Sequence, residues 1–182
     1  GGCCAYSSVV GRDGLGALWT AWYSNSTGAT GLYVAQLDPV TGVPLAPAQL
    51  VPGSTTQIND LRPGLACRPA AAGCRVVFST GPITEPRLAS WAPGEAVATP
   101  IVAGGARIGA PNARYAAAFR ADGRLWVAWH EEGSARATGY YVALTDTSGR
   151  RGTATAVGAP PGSSIIDYDI QALPVGSDVL LV

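Results

Sequence analysis

Apolar and polar residues alternate in short runs along this chain, and glycine, proline and aspartate separate the runs. Short runs of β-branched and aromatic residues bounded by turn residues are the mark of strands. Leu125-Trp126-Val127-Ala128-Trp129 and Gly139-Tyr140-Tyr141-Val142-Ala143 are such runs, rich in the valine, tyrosine and tryptophan that suit a pleated surface. Asp122-Gly123 precedes the first of them, and both residues tolerate positive φ, which predicts a hairpin turn. Strands are expected over 115–120, 124–131, 140–146 and 153–158. A helix over 113–121 is the rival pattern, because its alanines have good helical propensity. The corresponding stretch earlier in the chain, Tyr6-Ser7-Ser8-Val9-Val10, is β-prone, so the strand reading prevails.

That correspondence belongs to an internal repeat. Asp13-Gly14, Leu18-Trp19-Thr20-Ala21-Trp22 and Gly31-Leu32-Tyr33-Val34-Ala35 return as Asp122-Gly123, Leu125 to Trp129 and Gly139 to Ala143, at offsets of 107 to 109 residues. Asp38 returns as Asp146, and Gly53-Ser54 as Gly162-Ser163. A weaker copy lies between them, with expected strands at Gly73 to Ser79, Pro86 to Trp91 and Thr99 to Val102. A fourth copy starts at Ile170, turns at Gly176-Ser177 and reaches Val179 to Val182. Four short strands per unit, at this period, describe the blades of a β-propeller. The expected fold is therefore all-β: three four-stranded antiparallel blades and the start of a fourth, a partial propeller. The blades span about 1–54, 55–105, 106–163 and 164–182. Further blades of the same chain are expected to close the ring, because terminal blades expose faces that neighbours should cover.

Composition narrows the functional classes. The 182 residues hold 12 basic and 12 acidic side chains, so the net charge is zero. That removes the electrostatic case for nucleic acid or an anionic membrane surface. No apolar run approaches the roughly 20 residues of a spanning helix. All the basic residues are arginine and methionine is absent, which reads as a coding bias and a processed or partial chain. Cys67 and Cys74 flank the predicted first hairpin of the second unit, a spacing at which a disulfide can form. A disulfide in turn implies an oxidising, extracellular setting. Cys3 and Cys4 are adjacent, so at least one is expected to pair elsewhere or stay free.

The Leu125-Trp-Val-Ala-Trp run followed by Gly139-Tyr-Tyr-Val-Ala-Leu-Thr-Asp resembles blades of the sialidase-like (BNR/Asp-box) propellers. The resemblance covers most of the chain and implies the fold. The Asp-box of that family, Ser-x-Asp-x-Gly-x-Thr-Trp, would fall at the turn between third and fourth strands. Here those turns read Asp38-Pro-Val-Thr-Gly42 and Asp146-Thr-Ser-Gly149, keeping aspartate and glycine without Thr-Trp. The family's Arg-Ile-Pro motif is absent, Arg62-Pro63 being the nearest echo.

Catalytic and metal signatures are sparse. His130 is the single histidine, so multi-histidine metal sites have no ligands, and no cofactor is expected. His130-Glu131-Glu132 reads as a solvated loop. The Trp19/Trp22 and Trp126/Trp129 pairs read as core, since residues three apart on a strand face opposite sides. Topology singles out one end of the blades, where second-to-third-strand loops and blade-to-blade connections emerge together. That end collects Glu85, Glu131, Glu132, Asp60, Arg62, Arg107, Asn112, Arg114, Asp167 and Asp169. Asp60, Arg62, Arg114, Glu131, Asp167 and Asp169 are the candidate ligand-binding residues. Asp167 and Asp169 would share a face if extended, suited to a sugar hydroxyl, although two carboxylates cannot complete a calcium site. The expectation is an extracellular binding or scaffold propeller for a carbohydrate or protein ligand. The alternative is a glycoside hydrolase completed by other blades, with Asp167, Asp169 or Glu131 as carboxylate and Arg62 or Arg114 holding an anionic group.

Overall fold

The computed structural model describes residues 5–55, 63–81, 87–102, 115–131, 139–157 and 170–181. Among these residues there is no helix, and the strands form separate antiparallel sheets. The first sheet holds β1 (Ala5–Arg12), β2 (Leu18–Ser26), β3 (Ala29–Leu37) and β4 (Gln49–Leu50) in that order. The second holds β5 (Gly64–Cys67), β6 (Cys74–Thr80), β7 (Arg87–Trp91) and β8 (Thr99–Pro100). The third holds β9 (Tyr115–Phe119), β10 (Leu125–Glu131), β11 (Gly139–Thr145) and β12 (Gly152–Val157). A hairpin of β13 (Ala172–Val175) and β14 (Asp178–Leu181) follows. Each sheet is a meander in chain order, as the repeat predicts, and the alanine-rich stretch at Tyr115 is a strand.

The alternation of side chains decides how the sheets stack. In the second sheet Val76, Phe78, Ala89 and Trp91 point one way, into a core shared with Ala21, Tyr23, Leu32, Val34 and Val51 of the first. Val77, Leu88 and Ile101 point the other way, into a core with Phe119, Leu125, Val127, Trp129, Tyr141 and Ala143 of the third. A sheet buried on both faces needs a continuous apolar run, and β6 is buried along nearly its whole length. The first strands lie side by side, β1 against β5, β5 against β9 and β9 against β13. Successive sheets joined through their first strands and packed face to face make a partial β-propeller of three blades and the first hairpin of a fourth.

Hairpin tips stitch neighbouring blades together. The tip after β1 rests on the bend between β5 and β6: Gly14 N–H donates to the Arg68 and Ala71 carbonyls at 2.7 and 3.1 Å. A Cβ at Gly14 would come within 2.6 Å of the Pro69 carbonyl oxygen, so only glycine fits this approach. The Cys67–Cys74 disulfide forms as expected, between residues directly opposite in the β5–β6 ladder. The Arg68 guanidinium lies 4.7 Å over the Phe119 ring, and Arg120 pairs with Asp178 at 3.2 Å. No helix among the described residues is long and apolar enough to cross a membrane.

Two expectations are corrected. His130 and Glu131 close β10, inside the strand expected over 124–131, and do not form a solvated loop: Glu131 is fully buried. Of the repeated tryptophans, Trp129 is in a core and Trp19 packs against one, whereas Trp22 and Trp126 lie in neither. Both lie on the faces of β2 and β10 opposite those that build the cores named above.

Candidate functional site

In a four-stranded meander the turns 1–2 and 3–4 lie at one end, and loop 2–3 lies at the other with the connection to the next blade. The turn end spends its carboxylates on structure. Asp13, nearly buried, accepts from Leu15 N–H and Ala17 N–H on Oδ1 (3.1 and 3.0 Å). On Oδ2 it accepts from Trp19 Nε1–H and from Gly73 N–H of the next blade (3.0 and 2.7 Å). Burial pushes its carboxyl pKa up, but the hydrogen bonds from Gly73, Trp19, Ala17 and Leu15 outweigh it and hold it below the usual range.

The turns between third and fourth strands repeat the device. Asp38 Oδ1 accepts from the Val40 and Thr41 amides (2.9 and 2.7 Å), and Gly42 closes the turn at φ 71°. Asp146 Oδ1 accepts from the Ser148 hydroxyl and amide (2.6 and 2.9 Å), and Gly149 sits at φ 75°. Hydrogen bonding from the Thr41 and Val40 amides lowers the Asp38 pKa, and chiefly the Ser148 hydroxyl lowers that of Asp146. In the second blade Glu95 takes this place. It accepts from the Ala92 amide at 3.0 Å, pairs with Arg75 at 2.6 Å and meets Arg150 of the third blade at 3.2 Å. Burial raises the Glu95 pKa, and the Arg75 hydrogen bond, the Ala92 amide and the two arginine charges more than reverse it. Arg75, itself buried, also donates to Ser90 Oγ and to the Ser148 carbonyl across the blade seam, both at 3.0 Å. Asp122 is held by Arg124 at 2.7 Å.

At the other end only part of the predicted site is visible. Asp60, Arg62, Arg114, Asp167 and Asp169 lie outside the described residues, as do Glu85, Arg107, Asn112 and Glu132. Glu131 is placed, at the end of β10, fully buried, with Oε2 accepting from Trp129 Nε1–H at 3.0 Å. Residues two apart on a strand share a face, so Glu131 and Trp129 both face the second blade. Tyr115, opposite Trp129 in the β9–β10 ladder, packs beside Gly64 of β5, where a Cβ would lie 3.7 Å from its ring. Burial pushes the Tyr115 phenol pKa well up, with the Ser79 backbone opposing. His130 faces away from these groups and contacts the Tyr140 ring at 5.1 Å. Sequence reasoning missed Asp13, Arg75 and Glu95 as interblade ties. The recurrence of a carboxylate at each turn was the available signal.

No group of three or more metal-binding side chains occurs among the described residues. No protein-family model and no curated protein matches the chain. A solved structure, endo-1,5-alpha-L-arabinanase from Thermotoga petrophila RKU-1, is similar at 17% identity with a TM-score of 0.46. The match covers 87% of this chain and 43% of that one, so the chain spans less than half of that protein's length.

Proposed function

We propose that this chain is an extracellular binding propeller, sialidase-like in its blade pattern. It takes a carbohydrate or protein ligand at the end where loops 2–3 and the interblade connections emerge. The observation that supports this is the division of the acidic residues. The described carboxylates Asp13, Asp38, Glu95, Asp122, Glu131, Asp146 and Asp178 all have hydrogen-bond or ion-pair partners. The remaining acids, Asp60, Glu85, Glu132, Asp167 and Asp169, fall in sequence on connections of the opposite end, with Arg62, Arg107 and Arg114. A rim bearing both carboxylates and guanidinium groups can hydrogen-bond sugar hydroxyls and pair with anionic substituents. The Cys67–Cys74 disulfide supports an oxidising compartment.

The test is binding of the protein to an array of neutral and anionic glycans, with Asp167→Ala plus Asp169→Ala as the variant. Selective binding that the variant loses, with its near-ultraviolet circular dichroism unchanged, supports the reading; binding that survives both changes rejects this rim. Release of reducing sugar from a bound glycan would transfer the same carboxylates to the glycoside hydrolase reading.

A further inference from the structure

The outermost strands of the three blades differ at the edge they leave open. β4 (Gln49–Leu50) and β8 (Thr99–Pro100) have two residues each, β8 ends in proline, and Pro44 and Pro47 precede β4. Short strands and prolines are devices by which sheets close their edges to further pairing. β12 (Gly152–Val157) uses neither. It runs for six residues without a charge or a proline and pairs with β11 in unbroken register. The contact at its start shows which way its backbone groups point. The Gly152 N–H turns away from β11 and donates to the Ile101 carbonyl at 2.8 Å, beside a parallel bridge between Gly152 and Val102. Bonding direction alternates along a strand, so Ala154 and Ala156 also turn their N–H and C=O outward. No hydrogen bond among the described residues reaches these outward groups. Thr153, Thr155, Ala156 and Val157 are exposed.

A following blade does not close an edge of this kind. Blades meet through their first strands and their sheet faces, and neither β4 nor β8 pairs with a strand of the blade after it. What the β12 edge accepts is backbone, as Ile101 and Val102 show at its first residue. We propose that the rest of this edge, from Ala154 to Val157, docks an extended peptide segment of a partner protein, which adds a strand to the outside of the third blade. A row of outward N–H and C=O groups at strand spacing is matched by another extended backbone. The neighbouring side chains define the segment. Ala154 packs against the core shared by the second and third blades, with Ala143 opposite it and Tyr141 opposite Ala156. Incoming side chains beside these two alanines share that face, which favours apolar ones. The alternate side chains fall beside Thr153, Thr155 and Val157, where threonine and valine pair well across strands. The segment is therefore uncharged and rich in β-branched residues.

The test is fluorescence anisotropy with a labelled peptide of alternating threonine and valine. The control is the same peptide N-methylated throughout, which keeps the side chains and loses every donor. Ala156→Pro is the protein variant: it removes an outward N–H and leaves the bonds to β11, which fall on the alternate residues. Saturable binding is expected, weakened about tenfold by the methylation and by Ala156→Pro, as the loss of one or two net hydrogen bonds implies. Should Ala156→Pro lose the far-ultraviolet spectrum of the fold, Ala156→Lys places a charge on the same exposed edge and takes its place. Absence of saturable binding overturns the proposal, and so does binding that both changes leave intact. Sedimentation velocity without peptide checks the occupant. A chain that self-associates, and that Ala156→Lys returns to a single copy, gives the edge to a second copy and overturns the peptide as its occupant.

Discussion

Asp13 shows how much one side chain carries in this fold. Four donors converge on its carboxylate, two within its own turn, one from the Trp19 indole and one from the next blade. Asp13→Ala leaves these groups without their acceptor and should cost about 2 kcal/mol, since unsatisfied donors cost roughly 1–3 kcal/mol. Urea unfolding at neutral pH measures this. The pH dependence has a definite sign. The folded-state pKa lies below the unfolded value of about 3.9, so Asp13 stabilises the fold above that value. The contribution is lost as pH falls through the folded pKa. Asp13→Asn should therefore flatten the acid limb of the stability profile, and an unchanged limb would refute the assignment. Asp13-Gly14 was legible as a turn; the contact with Gly73, 60 residues away, was not, because spacing along a chain does not report which tips meet. The solvated-loop reading of Glu131 failed for a related reason. Its charge suggested solvent, but its place two residues after Trp129 puts it on the buried face of β10.

At the scale of elements, the hairpin of β5 and β6 depends on a crosslink more than its neighbours do. β5 has only four residues, against eight in β1, and none of the side chains in the bend Pro69-Ala70-Ala71-Ala72-Gly73 can itself hydrogen-bond. The Cys67–Cys74 disulfide closes the loop at its base. It also lines the seam with the first blade, since a Cβ on Gly11 would meet Cys67 Sγ at 2.5 Å. Loop closure at a separation of seven residues is worth roughly 2–2.5 kcal/mol on the chain-entropy scale. Reduction, or Cys67→Ser with Cys74→Ser, should lower the urea midpoint accordingly without changing the far-ultraviolet spectrum. Loss of all β signal on reduction would mean that the bond holds the whole fold and not one hairpin. The strands themselves were legible to within a residue or two, because β-branched and aromatic runs are bounded by Asp-Gly or Ser-Gly turns. The exceptions are informative: β8 covers Thr99–Pro100, while the expected strand ran on to Val102. Ile101 and Val102 instead turn towards the third blade, where the Gly152 N–H donates to the Ile101 carbonyl at 2.8 Å.

Across the whole molecule, stability should follow the number of faces each blade has covered. In a repeat array each unit gains from its own sheet and from contact with its immediate neighbours. The second blade is covered on both sides, and Val76, Val77, Phe78 and Leu88 are wholly buried. The buried Arg75 adds a tie to the third blade through Ser148, and replacing it would leave the Glu95 carboxylate with Arg150 as its remaining guanidinium partner beside the Ala92 amide. The first and third blades share one full core each with the second. The β13–β14 hairpin has two strands, mostly exposed side chains and an ion pair whose Asp178 side chain is 70% exposed, which contributes little. Amide hydrogen exchange followed by mass spectrometry should therefore resolve an order of protection. β6 and β7 exchange slowest, β2, β3, β10 and β11 follow, and β13–β14 exchange fastest, because local opening is governed by buried contacts. Uniform exchange across all sheets would instead describe a single cooperative unit, in which the covering of individual faces does not set local stability.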